Sequence, residues 1–245
     1  MSDPYDAFAA CLRDLVAEER MAKAGALTQR FWNEPYTGRW FHVLADRDHP
    51  NEITARDVVA VSTLSVTVPA RVLVWLLSDT GRDAVTKLLE DIPDGVDLRE
   101  GAELIAENSA LRRLWSLLAS ACWPEPTAGN GMGRAKISKL LAAKRPCLVP
   151  ILDSVVCGLC PPVPDYWWAF YKVMSDPNDR LLLSIRLGDQ RARGRQPAAP
   201  ARRHAVDDRP GRGLVGQPLP GRPDRIRGAS WRSWLRSFGF APQRT

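Results

Sequence analysis

Gly131-Met132-Gly133-Arg134-Ala135-Lys136-Ile137-Ser138-Lys139-Leu140-Leu141-Ala142-Ala143-Lys144-Arg145-Pro146 is the stretch on which the fold turns. Two glycines one residue apart, lacking a Cβ, permit a tight turn and a close backbone approach. The Leu, Ala and Lys that follow favour helix, and Pro146 stops it. This reads as a glycine hairpin opening a helix over roughly 133–143. The unpaired N–H groups at such a helix start form a place where a phosphate can sit. Basic residues follow at 134, 136, 139, 144 and 145, and Asp153-Ser154-Val155-Val156 comes next, an acid at the head of another helix.

Outward from this stretch, apolar spacings of three and four dominate as far as about residue 187. Phe8, Cys11, Leu12, Leu15 and Val16 form the stripe of an N-terminal helix. The aromatic segment 31–41 is broken by Pro35 and Gly38 and reads as an ordered loop. Thr54 with Asp57 resembles a capping box ahead of Val58, Val59, Val61, Leu64 and Val66, and Pro69 sets a boundary. A helix is expected over 71–77. Thr80 with Asp83 signals another start before Val85, Leu88, Leu89 and Ile92. Asn108 is placed to cap the helix that carries Leu111, Leu114, Trp115, Leu117 and Leu118. Further helices are expected over 151–159, 164–174 and 177–187. Strand-like alternation is nearly absent, so residues 1–187 read as one all-α, multi-helix domain, with the hairpin element at about 125–160.

The bulk properties bound the function. The 245 residues are 45% hydrophobic, with nine Trp, enough for a packed core, and no run of roughly 18 or more uncharged apolar residues suggests a membrane span. Five cysteines do not read as a disulfide framework, and the acidic N-terminus lacks the order of a secretion signal. A cytoplasmic setting is the resulting expectation. The net charge of +6 is unevenly placed. Residues 189–245 hold 13 Arg, no Lys and 4 Asp, a balance of +9, whereas residues 1–188 hold 21 Lys and Arg against 24 acids, a balance of −3. A nucleic-acid signal from the body must therefore be local. Arg, Pro, Gly and Ala make up 34 of those last 57 residues, too few apolar groups to offset ordering entropy. The segment after 188 thus reads as a disordered basic tail. It reads equally as the out-of-frame product of a GC-rich coding sequence, standing in for a final helix.

The hairpin order resembles the helix-hairpin-helix DNA glycosylase superfamily, in which a Gly-hydrophobic-Gly turn holds a DNA phosphate and an Asp follows about twenty residues on. Gly131-Met132-Gly133 matches the turn, Asp153 stands twenty positions after Gly133, and Asp153-Ser154-Val155-Val156 is similar to the tetrad at that place. The resemblance implies DNA as partner, with Gly131, Gly133, Arg134, Lys136, Lys139, Lys144 and Arg145 on its backbone. It also implies Asp153 as the catalytic acid of a monofunctional glycosylase-like hydrolase that needs no metal or cofactor. The departures are the Gly129-Asn130 pair where Leu-Pro is usual, Ala135 where a lyase Lys would stand, and no iron–sulfur cysteine set. Lys136, one position later, projects about 100° away on a helix.

A second resemblance covers residues 25–187. Tyr36-Thr37-Gly38, Leu64-Ser65-Val66-Thr67-Val68-Pro69 and Lys144-Arg145-Pro146-Cys147-Leu148-Val149-Pro150 are similar to the motifs of an uncharacterised actinobacterial family that carries no known activity.

Several residues keep two readings. Asp153 is either a helix cap or a carboxylate that steadies a cationic sugar or orients a water. The basic residues are either phosphate ligands or a solvated helix face. Cys157 and Cys160 have the spacing of redox and zinc sites but lack a second pair, and read as structural. His42 and His49 with Asp46 and Asp48 are a metal candidate or surface polarity. Tyr166, Trp167, Trp168 and Phe170 stack bases or fill a core. The alternative to nucleic-acid binding is a helical protein-interaction or structural module with no such ligand.

Overall fold

Helices α1 (Pro4–Leu15), α2 (Phe41–Leu44), α3 (Ala55–Ser62), α4 (Ala70–Leu77), α5 (Asp79–Glu90), α6 (Ala110–Ser120), α7 (Arg134–Lys144), α8 (Ser154–Cys157) and α9 (Tyr166–Met174) follow one another, with single 3₁₀ turns at Thr37–Trp40, Leu98–Glu100 and Glu103–Ile105. They are seen in a computed structural model that describes residues 3–15, 30–31 and 33–176. Among the described residues there is no strand, so the chain is all-α. The sequence expectations for 177–187 and for the tail lie outside the described residues.

Helix α7 is central. Every residue from Ile137 to Lys144 is buried, and α3 and α6 pack on it. A helix covered on all sides needs no polar face. Its Ile137, Leu140 and Leu141 are almost fully buried, each contributing about 1.5–3 kcal/mol by area. Around it α4 pairs with α5, α5 with α6, and α1 with α9. Phe8 of α1 meets Tyr166 and Phe170 of α9 edge-on.

The last two residues of the α7 stretch explain its position. The Lys144 ammonium is 2.6 Å from Asp57 Oδ2, with neither side chain exposed. It also donates to the Asp46 and His49 carbonyls at 2.9 and 3.0 Å, so its three donors have three acceptors. Arg145 does the same with five. Its Nε donates to Ile92 O, Nη1 to Pro50 O and Lys144 O, and Nη2 to Asn51 Oδ1 and Leu89 O. Burial lowers the pKa of this guanidinium, with the Asp94 charge opposing.

Several helix starts match the sequence reading and several shift. Thr54 and Asp57 form the expected capping box, but Asp57 is wholly buried because it also accepts from the Asp46 amide at 3.0 Å and pairs with Lys144. Ser78 rather than Thr80 caps α5, accepting from Gly81 N. Ser109 rather than Asn108 caps α6, accepting from Arg112 N. The helix expected through Val66 stops at Ser62. There Ser62 and Thr63 turn their hydroxyls onto the Val59 and Ala60 carbonyls, each at 2.6 Å, a local alternative to helix propagation. Ser65 then takes a left-handed φ of 60°. Of the 151–159 segment only Ser154–Cys157 is helical.

Five cysteines did not read as a disulfide framework, yet Cys11 of α1 and Cys160, ahead of α9, form one disulfide with Cα atoms 5.6 Å apart. Their separation of 149 residues hid the pairing, because only tertiary packing brings α1 beside residue 160. Cys122, Cys147 and Cys157 remain free. Among the described residues no helix is long and apolar enough to cross a membrane.

Breaking the ion pair from one side should be costly. Lys144→Met is expected to lower unfolding stability by about 3–5 kcal/mol, because it strands a buried carboxylate. Pairing it with Asp57→Asn, which keeps an acceptor for the cap, should cost clearly less than the two single changes added together. Guanidinium denaturation of the four chains measures this; strict additivity would show that the pair is not coupled.

Candidate anion site

The hairpin is built from its own polar groups. Asn130 Nδ2 donates to the Leu118 and Ala121 carbonyls at the end of α6, at 3.0 and 2.6 Å, and Oδ1 accepts from Met132 N at 2.8 Å. Met132 drops into the core. Gly131 has φ +82° and a Cβ there would lie 3.0 Å from Pro69 Cγ, so this glycine is needed both for conformation and for contact. Gly133 is the extended N-cap of α7 and has open space around it. Among the described residues the amides of Gly133, Arg134 and Ala135 meet no protein acceptor, whereas those of Lys136 and Ile137 bond to Gly133 O. Three donors thus stand at the positive end of an 11-residue helix.

The basic residues divide by position. Gly131, Gly133 and Arg134 are exposed and Lys136 is half-buried; the Arg134 guanidinium lies 5.1 Å from the Tyr166 ring centre. Lys136 Nζ folds back onto Gly131 O at 2.8 Å. Lys139, Lys144 and Arg145, read from sequence as part of the same phosphate-binding set, are buried. Lys139 Nζ donates to Leu64 O at 3.1 Å and is 3.6 Å from Asp153 Oδ2. Burial lowers its pKa and the Asp153 charge opposes that. The correction has a simple cause. From Ile137 to Lys144 the helix is covered on every side, so these side chains end inside the protein, where backbone carbonyls and the Asp153 and Asp57 carboxylates meet Lys139 and Lys144.

Asp153 is spoken for in the same way. Oδ1 caps α8, accepting from Val155 N and Val156 N at 3.0 Å each, and Oδ2 faces Lys139. Beside it, the Cys157 thiol has its pKa raised by burial, with Arg134 pulling it down. Asp46 is a hydrogen-bonding hub. Burial pushes its pKa up, but hydrogen bonds from His49, Thr54 and the Asp48 amide, with the Arg56 charge, outweigh that and hold it low. No group of three or more potential metal ligands forms among the described residues.

What the sequence reading missed is a small cleft flanking the α7 start. It is about 150 Å³ and is lined by Arg112, Trp115, Arg134, Leu152, Pro164, Asp165, Tyr166 and Trp167. Asp165 caps α9 through Oδ1, accepting from Trp167 N and Trp168 N, and its Oδ2 pairs with Arg112. Arg112 stacks 4.4 Å over Trp167, and Trp115 meets Trp167 edge-on. Asp165 ahead of three aromatics carried a cap signal; the partnership with Arg112, 53 residues away, carried none.

Residues 23–198 match the family described as "Family of unknown function (DUF6308)". The chain belongs to that family. No curated protein and no solved structure matches it, so the glycosylase resemblance gains no support. Of the three segments that resemble family motifs, the first packs on the turn after α3 and the other two touch α7 or its entry. Thr37 of the first donates to Thr63 O at 2.9 Å, Leu64 of the second accepts from Lys139, Pro69 touches the Gly131 position, and Lys144-Arg145 of the third close the far end. These contacts belong to the scaffold of the chain.

Two outcomes check these assignments. Asp153→Asn keeps a capping oxygen but removes the charge opposite Lys139, so it should destabilise the fold by about 1–3 kcal/mol, and Asp153→Ala by more; equal stability of all three chains in urea would contradict the pairing. Because the folded pKa of Lys139 lies below its ordinary 10.5, the unfolded chain binds that proton more tightly between the two values. Stability should therefore gain from this residue as pH rises through that window, and Lys139→Met should flatten that part of the profile.

Proposed function

We propose that the chain binds the phosphate backbone of a nucleic acid at the start of α7, without a catalytic step. The observation that carries this reading is the set of unaccepted amides of Gly133, Arg134 and Ala135 beside the exposed Arg134 and the half-buried Lys136. Backbone donors and a helix dipole favour an anion there. With Lys139, Lys144 and Arg145 inside, the site offers two cationic side chains, so binding is weak and its salt dependence shallow. A logarithmic slope of about −1.4 on a single strand is expected from two phosphate contacts. Asp153 has no role in it, since both its oxygens are engaged.

A second reading, a protein-interaction module without nucleic acid, is favoured by the apolar exposure of Val74, Leu77 and Trp123. Val74 and Leu77 lie three apart on α4, and Trp123 is bonded to Arg71 at its start.

Fluorescence anisotropy with a labelled single-stranded oligonucleotide across a salt series separates them. Arg134→Glu with Lys136→Glu in the full chain should abolish the α7 contribution and reduce the slope by about 1.4. A chain ending at residue 198 should retain that contribution. Binding that vanishes with the Arg-rich segment and ignores the α7 charges would defeat the proposal.

A further inference from the structure

We propose that the Cys11–Cys160 bond is exchangeable from within: Cys157 takes Cys160 as its own partner and so releases α1 from its covalent tether. The switch does not rest on the nucleic-acid reading, because it uses sulfur chemistry that reading leaves aside. Cys11 and Cys160 are bonded. The half-buried Cys157, three residues before Cys160, keeps a free thiol. A disulfide with a third sulfur so near along the chain is the arrangement that thiol–disulfide exchange requires.

The backbone brings the two ends of Cys157-Gly158-Leu159-Cys160 near each other. Past the end of α8 at Cys157 the chain keeps winding, with Gly158 N donating to Val155 O at 3.1 Å and Leu159 N to Val156 O at 3.3 Å. Residues three apart on such a winding have neighbouring side chains, a small adjustment away from the Cβ separation of a disulfide. Gly158 lends the backbone freedom for that adjustment. Cys11 Sγ lies 3.2 Å from Leu159 O on the same turn, so the existing bond rests against the segment that carries the third sulfur.

The exchange balances without an outside oxidant or reductant. The Cys157 thiolate attacks Cys160 Sγ, and the Cys157–Cys160 bond forms as the Cys11–Cys160 bond breaks. Cys11 leaves as a thiolate and takes up the proton that Cys157 gave away. Burial disfavours the Cys157 thiolate, Arg134 and the Tyr166 hydroxyl favour it, and the Asp153 charge opposes them. The reaction is therefore slow at neutral pH and quickens as the pH rises.

The consequence falls on α1. The present bond joins residues 149 apart, whereas the new one closes a loop of a few, so a long-range constraint is lost. Phe8 against Tyr166 and Phe170 then holds α1, helped by the Arg13–Asp176 and Lys172–Asp3 pairs, which are partly exposed and weak. Helix α1 also precedes the family-matched residues 23–198, so the tether joins a segment outside that region to one inside it.

Disulfide mapping tests this. The full chain, purified without reductant, is held at about pH 8.5, where a thiol ionises, then trapped with N-ethylmaleimide and digested for mass spectrometry. Both Cys11–Cys160 and Cys157–Cys160 should be found, with Cys11 labelled in step with the second bond. Cys157→Ser should keep Cys11 unlabelled. In the exchanged fraction, α1 peptides should take up deuterium about tenfold or more faster than in Cys157→Ser. Cys11→Ser, oxidised with glutathione disulfide, should close Cys157–Cys160; if both thiols stay open to label, the spacing cannot bond and the switch is excluded. Finding Cys11–Cys160 alone with Cys157 fully labelled, or no bond to Cys11 at all, overturns the proposal. A Cys11–Cys157 bond in place of Cys157–Cys160 overturns the assignment of Cys160 as the shared sulfur. Equal deuterium uptake in the two chains overturns the release of α1.

Discussion

Two cations at the inner end of α7 hold this structure together. Lys144 and Arg145 are nearly inaccessible to solvent, and between them they satisfy eight donors with one carboxylate, one amide side chain and backbone carbonyls from three separate regions. The Leu89 and Ile92 carbonyls belong to the end of α5, and those of Asp46, His49 and Pro50 to the loop before α3. Carbonyls at helix ends and in loops lack intrahelical partners, and burying them unpaired costs free energy. A lysine and an arginine side by side remove that cost for several at once. Their own desolvation is offset only because every donor is used, which makes the arrangement stringent.

That stringency divides α7 into two chemically different ends. The C-terminal end is closed, its charges consumed by the scaffold. At the N-terminal end, Asn130 ties the hairpin to α6 and leaves three amides and Arg134 at the surface beside an aromatic cleft. The middle is governed by Lys139, which links the Leu64 turn to Asp153 and so fixes α8. The proposed phosphate contact involves only the first turn of this helix.

Much of the architecture was legible in order of residues. The all-α character, the Thr54–Asp57 box, the α7 span and the aromatic core of α9 follow from local spacing and capping chemistry, which act over a few residues. The errors share a different origin. Taking Lys139, Lys144 and Arg145 for surface ligands assumed that basic side chains on a helix face water. That fails when the helix is enclosed and carbonyls from distant segments meet the charge. The Cys11–Cys160 bond and the Arg112–Asp165 pair likewise join residues far apart along the chain.

The linear order of side chains determined the kind of fold, where α7 begins and ends, and the glycine chemistry of its entry, because those depend on backbone freedom and near-neighbour hydrogen bonds. Three-dimensional packing decided which charges are structural and which are available. Whether a cation is solvated or satisfied by carbonyls depends on what other segments place around it, and that arrangement exists only once the chain has closed on itself.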